Sequence, residues 1–368
     1  MKWKLHKRRR RSGLTANMAS CSSSPNLSGA SEHLFFFIII NIGMSQELED
    51  DLDRMIKEGI LAETERLGTL AYLHSNAVER NTEYRNKHPR DDCIRFEATG
   101  HKYYLRQEEA EVEFPISVSG VWSQYFAKFD AENTIARYYM RWAGDSRSKY
   151  FALIHKFRDR NVPDTNITRR IKLMWSDAEE LASAFGTRMH RQIELALTAN
   201  VYDVSMGEMQ TFLHFVKEFL EPRQWRLYRA EWTIYDEIVM VAGQIDAMFV
   251  DGQGKLHMVD WKRVRHPLLP HSGQEFHRYG LCLCEHLLDN HFNHYALQQN
   301  LYAAILRRRY EMHVSSMALV QIHPELTGYK VVDVPEWREL ADNLLNAAGD
   351  RMNTVMCGEG PFQRRRAS

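Results

Sequence analysis

Residues 242–262 read AGQIDAMFVDGQGKLHMVDWK, two strand-like runs joined by Gly252-Gln253-Gly254. A three-residue hairpin loop sets Asp251 against Lys255 and fixes every later pair. Val250 then faces Leu256, Met248 faces Met258, Asp246 faces Asp260 and Gln244 faces Lys262. Side chains alternate with period two, so the even-numbered pairs share one face. That face is apolar near the turn and ends in two opposed carboxylates beside a lysine.

Directly opposed residues have Cβ atoms about 4.5–5.5 Å apart, where like charges repel. A divalent cation between Asp246 and Asp260 is the natural compensation, and hard carboxylate oxygens suit Mg²⁺ or Mn²⁺. A loop of two or four residues would instead split the aspartates between faces. In that case one aspartate is exposed and Lys262 merely ends a strand.

Working outward, residues 225–235, 239–250 and 255–263 read as three consecutive strands, followed by a helix over 294–310. Strands over 314–322 and 329–334 and a helix over 337–348 complete the pattern. Upstream, residues 174–199 form a helix with Leu181, Phe185, Met189 and Ile193 as its apolar stripe, and 206–220 a second one. Residues 122–142 and 149–159 read as helices, 93–97 with 101–106 as a short hairpin, and 45–88 as helical. The order implies an α/β (α+β) fold with a mixed central sheet flanked by helices.

The domain reading is a basic, Ser-rich tail over 1–43, a mostly helical region over 44–173, a core over 174–350 and a tail over 351–368. The first 43 residues carry seven Lys/Arg against one acid, within a chain of 368 residues with 48 Lys/Arg and 48 Asp/Glu. The remainder is therefore net acidic and is no generic nucleic-acid coat; binding there needs local basic patches. The run Lys7 to Arg11 reads as a nuclear-localisation patch, or the whole segment as a disordered tail or upstream sequence read through to an internal start at Met44. The longest apolar run, residues 34–40, is far short of the roughly 20 residues of a membrane-spanning helix. Five scattered cysteines argue against a disulfide framework and for a reducing, intracellular compartment.

Two further groups carry chemistry. His190 lies on the 174–199 helix with Gly186 one turn before it, where a small residue permits close approach, and Glu194 one turn after. Gln298 and Tyr302 share a face of the 294–310 helix at i, i+4. Alone, His190 reads as a half-buried helix histidine and the Gln298/Tyr302 pair as part of an ordinary amphipathic helix.

The ordered set is G-x-x-x-H on a helix, G-x-I-D on one strand, D-x-K on the next and Q-x-x-x-Y on a helix. It resembles the PD-(D/E)XK nuclease superfamily, specifically its RecB-like and lambda-exonuclease-like branch, over residues 174–334. Residues 96–98, 101–104 and 116–119 are more loosely similar to the N-terminal part of such proteins. The resemblance implies a restriction-endonuclease-like core in which Asp246, Asp260 and His190 bind Mg²⁺ or Mn²⁺. Lys262 positions or activates the attacking water, and Gln298 and Tyr302 orient the lysine and contact nucleic acid. Glu231, on the first strand, matches an acid with a minor role. Only Cys93 and Cys357 fall near the cysteine positions of cluster-bearing relatives, so no iron–sulfur cluster is expected.

The resulting expectation is a metal-dependent nuclease acting on nucleic acid, DNA for preference, of an exonuclease-like, repair or recombination type. DNA versus RNA and exonuclease versus endonuclease stay open. Arg263 and Arg265 continue from the active strand as phosphate contacts. Arg307 to Arg309 and Arg169 to Lys172 are further basic runs, the former favoured by a helix C-terminus. Tyr279, Phe292 and Tyr295 pack onto the core or stack on bases. A catalytically inactive nuclease-fold binding module is the alternative, and an α/β metalloenzyme of unrelated chemistry the third reading. Neither a glycine-rich nucleotide loop nor a G-x-S-x-G elbow is present.

Overall fold

The loop at Gly252–Gly254 closes with the three-residue geometry. Asp251 Oδ1 accepts the amides of Gln253 and Lys255 at 2.8 and 2.9 Å, and Gly254 takes φ +79°. The Asp251 amide donates to the Lys255 carbonyl at 3.0 Å. The ladder beyond it pairs Val250 with Leu256 and Met248 with Met258, the register expected from the spacing.

The computed structural model describes residues 86–356, except 109, 200, 204 and 274–276. The tail over 1–43 and nearly all of the helical expectation over 45–88 lie outside the described residues. Strands β1 (Ile94–Glu97), β2 (Lys102–Arg106) and β3 (Glu111–Glu113) form an antiparallel sheet. A mixed six-stranded sheet contains β4 (Ile116–Ser117), β5 (Arg226–Asp236), β6 (Val241–Val250), β7 (Leu256–Lys262), β8 (Val314–Gln321) and β9 (Lys330–Asp333). β4 with β6 and β7 with β8 are parallel, and the other pairs antiparallel. The helices are α1 (Val118–Ser123), α2 (Ala131–Gly144), α3 (Phe151–Arg158), α4 (Asp164–Ala199), α5 (Gly207–Phe215), α6 (His291–Arg309) and α7 (Arg338–Met356).

Two cores sandwich the six-stranded sheet. One buries Trp232, Ile245, Met248, Met258 and Leu319 under α1, α6 and α7. The other buries Phe249, Val259, Trp261 and Val320 under α5 and the C-terminal half of α4. There Trp261 meets Phe212 and Phe215 edge-on at 5.5 Å each, and burying a large apolar side chain contributes about 1.5–3 kcal/mol. A third, smaller core joins α2, α3 and the start of α4 through Ile135, Tyr139, Ile154, Ile167 and Ile171.

The edges of β6 position the site. β5 occupies one edge along its whole length. The other edge is divided: β7 holds Ala247–Val250, and β4 holds Val241–Ala242. Between those two partners β6 and β7 part, and a fork opens at Asp246 and Asp260. The ladder thus ends one pair short of the expected Asp246–Asp260 pairing, and Gln244 does not face Lys262.

Several expected boundaries differ. The helix expected over 122–142 is broken, because Asp130 accepts the Asn133 amide at 2.9 Å and starts a new helix. The helix carrying His190 begins at Asp164 and runs 36 residues, so the boundary expected at Met174 falls inside one continuous element. The basic run Arg169 to Lys172 therefore lies within that helix. α7 continues to Met356, past the boundary expected at 351. Among the described residues no helix is long and apolar enough to cross a membrane.

Candidate functional site

Strict alternation along β6 would place all odd residues on one face. Instead Val241 and Ile245 enter the first core while Ala247 and Phe249 enter the second. The alternation resets across Asp246. Across the ladder, Ala230 pairs with Ala247 and Trp232 with Ile245, so Glu231 stands at the same level as Asp246. Glu231 has φ +46°, a left-handed conformation that a strand residue with a side chain rarely adopts. The Gln244 side chain donates to the Glu231 carbonyl at 3.1 Å and holds this kink from the neighbouring strand.

The reset turns Asp246 and Glu231 toward α4. There His190 Nδ1 lies 3.4 Å from Asp246 Oδ2. Ligand atoms of His190, Glu231 and Asp246 all lie within 4.8 Å of one another, and all three residues are half-buried. Asp246 Oδ2 also accepts the Trp261 amide at 2.9 Å, which bridges the fork by a side chain where the ladder has stopped.

Asp260 sits on the other tine. Its side chain is 4% exposed and its Oδ2 lies 2.6 Å from Lys262 Nζ. Lys262 takes up Oδ2, whereas Oδ1 is buried without a hydrogen-bond partner. A buried carboxylate compensated by a single ion pair is under-satisfied, and an added cation is what its lone pairs lack. Lys262 is also held over the Tyr295 ring at 4.3 Å.

Electrostatics follow from this crowding. Burial, with the Lys262 charge, pushes His190 down to about 4, so its imidazole is neutral and free to ligate. Burial, then the charge of Asp246, raises Glu231 well above the carboxylate range. Burial raises Asp246, and burial pushes Asp260 up to about 6 against the pull of Lys262. Burial acts to lower Lys262, but Asp260 and Asp246 outweigh it and hold it above the usual lysine value. The two aspartates thus favour the charged form of Lys262 in this arrangement.

Gln298 Nε2 donates to Tyr302 Oη at 2.9 Å. Tyr302 lies against β6, where a Cβ on Gly243 would stand 2.6 Å from its ring. The Gly of G-x-I-D thus makes room for the Tyr of Q-x-x-x-Y. At Gly186 a Cβ would meet nothing within 4 Å among the described residues. The expected phosphate contact Arg263 is turned inward: its Nε donates to Glu208 at 2.8 Å and its guanidinium covers the Phe185 ring. Arg265 is 62% exposed and 3.2 Å from Glu325. Arg307 and Arg308 pair with Asp342, and Arg309 with Glu237, so that helix end is ion-paired rather than simply solvated. Phe292 is buried, Tyr295 packs against the first core and Tyr279 is exposed.

Glu231, expected to be minor, is thus a full member of the cluster. Arg191, not singled out from sequence, donates to Glu194 at 2.6 Å, while its Nε and Nη2 are buried without a hydrogen-bond partner. Its charge partly offsets that of Glu231. Tyr103, on β2, is buried and shares a 3.0 Å hydrogen bond with His101; burial, then Glu231 and Asp246, raise its phenol. Neither residue carries a local sequence signal, because each reaches the acids only through tertiary packing. Cys93, Cys282 and Cys284 are free thiols. The sequence matches no protein-family model and no curated protein.

Proposed function

We propose that the protein is a divalent-metal-dependent nuclease with a restriction-endonuclease-like core, acting on DNA. The observation that carries this reading is the convergence of His190, Glu231 and Asp246 within 4.8 Å, beside a buried Asp260 whose Oδ2 pairs with Lys262 and whose Oδ1 has no partner. One neutral imidazole and hard carboxylate oxygens fit Mg²⁺ or Mn²⁺. Bound there, such an ion supplies charge neutralisation at a phosphate and a water of lowered pKa.

The chain's own residues would do the rest. His190, Glu231 and Asp246 hold the ion, with Asp260 on the opposite tine of the fork. Lys262, kept protonated by the two aspartates, orients the attacking water or a phosphate oxygen. Gln298 and Tyr302 wall the fork, and exposed Arg265 offers a phosphate contact next to the active strand.

The test is cleavage of labelled linear and circular, single- and double-stranded DNA with Mg²⁺, Mn²⁺ or EDTA. Wild type runs beside Asp260→Ala and Lys262→Ala, each checked by thermal melting. Metal-dependent cutting that both substitutions abolish is the expected result. Full activity in either folded variant, or a folded wild type that cuts nothing, overturns it. DNA retained in a gel shift without cutting would point to a binding module that has lost catalysis.

A further inference from the structure

The helical lobe built by α2, α3 and the first half of α4 plays no part in the acid cluster, yet its surface is unusual. Four aromatic rings form a continuous strip. Phe129 meets Trp175 at 5.4 Å, Trp175 meets Trp142 at 6.0 Å and Trp142 meets Tyr138 at 6.1 Å. The inner members, Trp142 and Trp175, pack against the lobe core. The outer ones do not: Phe129 is 64% exposed and Tyr138 38%. Folding alone does not explain an exposed end on an ordered aromatic strip.

Charge indicates what covers it. Residues 118–181, through the first half of α4, hold eleven Lys/Arg against eight Asp/Glu, in a chain whose total charge is zero. Three of those acids are already ion-paired within the lobe: Asp164 with Arg158, Glu132 with Lys172 and Asp145 with Arg147. Exposed Arg137 and Arg141 each precede an aromatic of the strip by one residue on α2. A step of about 100° per residue places this basic row directly alongside Tyr138 and Trp142.

We infer that this face binds single-stranded nucleic acid, with unpaired bases stacked on the aromatic strip and phosphates set against Arg137 and Arg141. Stacking on exposed rings tolerates any base, and a flanking basic row follows the backbone. A duplex, whose bases are already stacked, gains nothing from the rings. The same α4 helix carries Trp175 and His190, fifteen residues or about 22 Å apart along its axis. A strand held on the lobe is thereby tied by one rigid element to the acid cluster. The choice of partner rests on the nuclease reading; the strip and the charge do not.

The experiment is fluorescence anisotropy of a labelled 20-nucleotide oligo(dT) with the full chain in EDTA, so that no cutting occurs. Phe129→Ala/Tyr138→Ala and Arg137→Ala/Arg141→Ala are compared with wild type, with thermal melting as the folding control. Both pairs should weaken binding about tenfold or more. The arginine pair should also lower the slope of log K against log salt by about 1.4, and the aromatic pair should leave it unchanged. Binding within twofold of wild type in either folded pair overturns the inference, as does a wild type that does not bind the oligonucleotide. Loss of a dimer in the aromatic pair, with oligonucleotide binding intact, would assign the face to a second copy and also overturn it. Failure of the nuclease reading is scored separately, as absence of metal-dependent cutting by wild type.

Discussion

Replacing Glu231 by glutamine distinguishes a metal centre from an acid cluster that is merely buried. The Glu231 and Asp246 ligand oxygens lie within 4.8 Å. Two unit charges at that distance repel by about 3.5 kcal/mol at an effective dielectric constant near 20. Without metal the protein relieves this by retaining protons, as the raised values of both groups show. The folded state then binds protons more tightly than the unfolded state, so stability falls as pH rises from the ordinary carboxylate range through the folded pKa values. In EDTA at pH 8, Glu231→Gln should therefore melt above wild type, by up to about 3 kcal/mol or roughly 4–5 °C. The gap should close as pH falls toward 4. Mn²⁺ at a hundred times its dissociation constant should stabilise wild type by about 2.7 kcal/mol. The variant, lacking one charged ligand, should gain far less. Calorimetry with and without Mn²⁺ reads both effects. A variant that melts below wild type in EDTA, or one that Mn²⁺ stabilises as much as wild type, would refute the reasoning.

Gly243→Ala should destabilise by about 1–3 kcal/mol, because its Cβ would stand 2.6 Å from the Tyr302 ring and 3.0 Å from Val118; denaturant unfolding checks this. Arg263→Ala strips Glu208 of its buried partner and should cost about 3–5 kcal/mol of stability. Arg265→Ala, at an exposed position, should change stability by less than about 0.5 kcal/mol and instead weaken DNA binding in a salt-dependent gel shift. Gln244→Leu removes the side chain that holds the Glu231 carbonyl, and should lower Mn²⁺ affinity roughly tenfold in a metal titration of the melting temperature.

The contrast between Arg263 and Arg265 shows where sequence reading reaches its limit. The hairpin register was legible because its cause is local: Asp251 and Gly254 specify the loop, and each rung follows from the last. The break between α1 and α2 also had a local cause, the Asp130 cap, but apolar spacing on both sides masked it. Arg263 is different. Its partner Glu208 lies 55 residues earlier, and only the packing of α5 on the sheet brings them together. An arginine two residues before a solvent-directed one looks the same in sequence whichever way it turns.

The full part that Glu231 plays in the cluster was hidden for a deeper reason. A period-two reading assumes that faces persist along a strand, and here they change sides at the level of the acids. The change depends on φ +46° at Glu231, on Gln244 bonding the displaced carbonyl, and on β4 taking over the β6 edge after β7 has departed. Left-handed backbone at a non-glycine residue costs of order 1–3 kcal/mol. Glycine or asparagine would adopt that conformation more cheaply. A sequence that keeps glutamate there accepts the strain and also places a carboxylate beside Asp246. Both costs fall on one residue, and the cation of the proposed function, shared with His190 and Asp246, would offset the electrostatic part. On the proposed function, the kink is the device that brings a third carboxylate or imidazole ligand out of the sheet and into the fork.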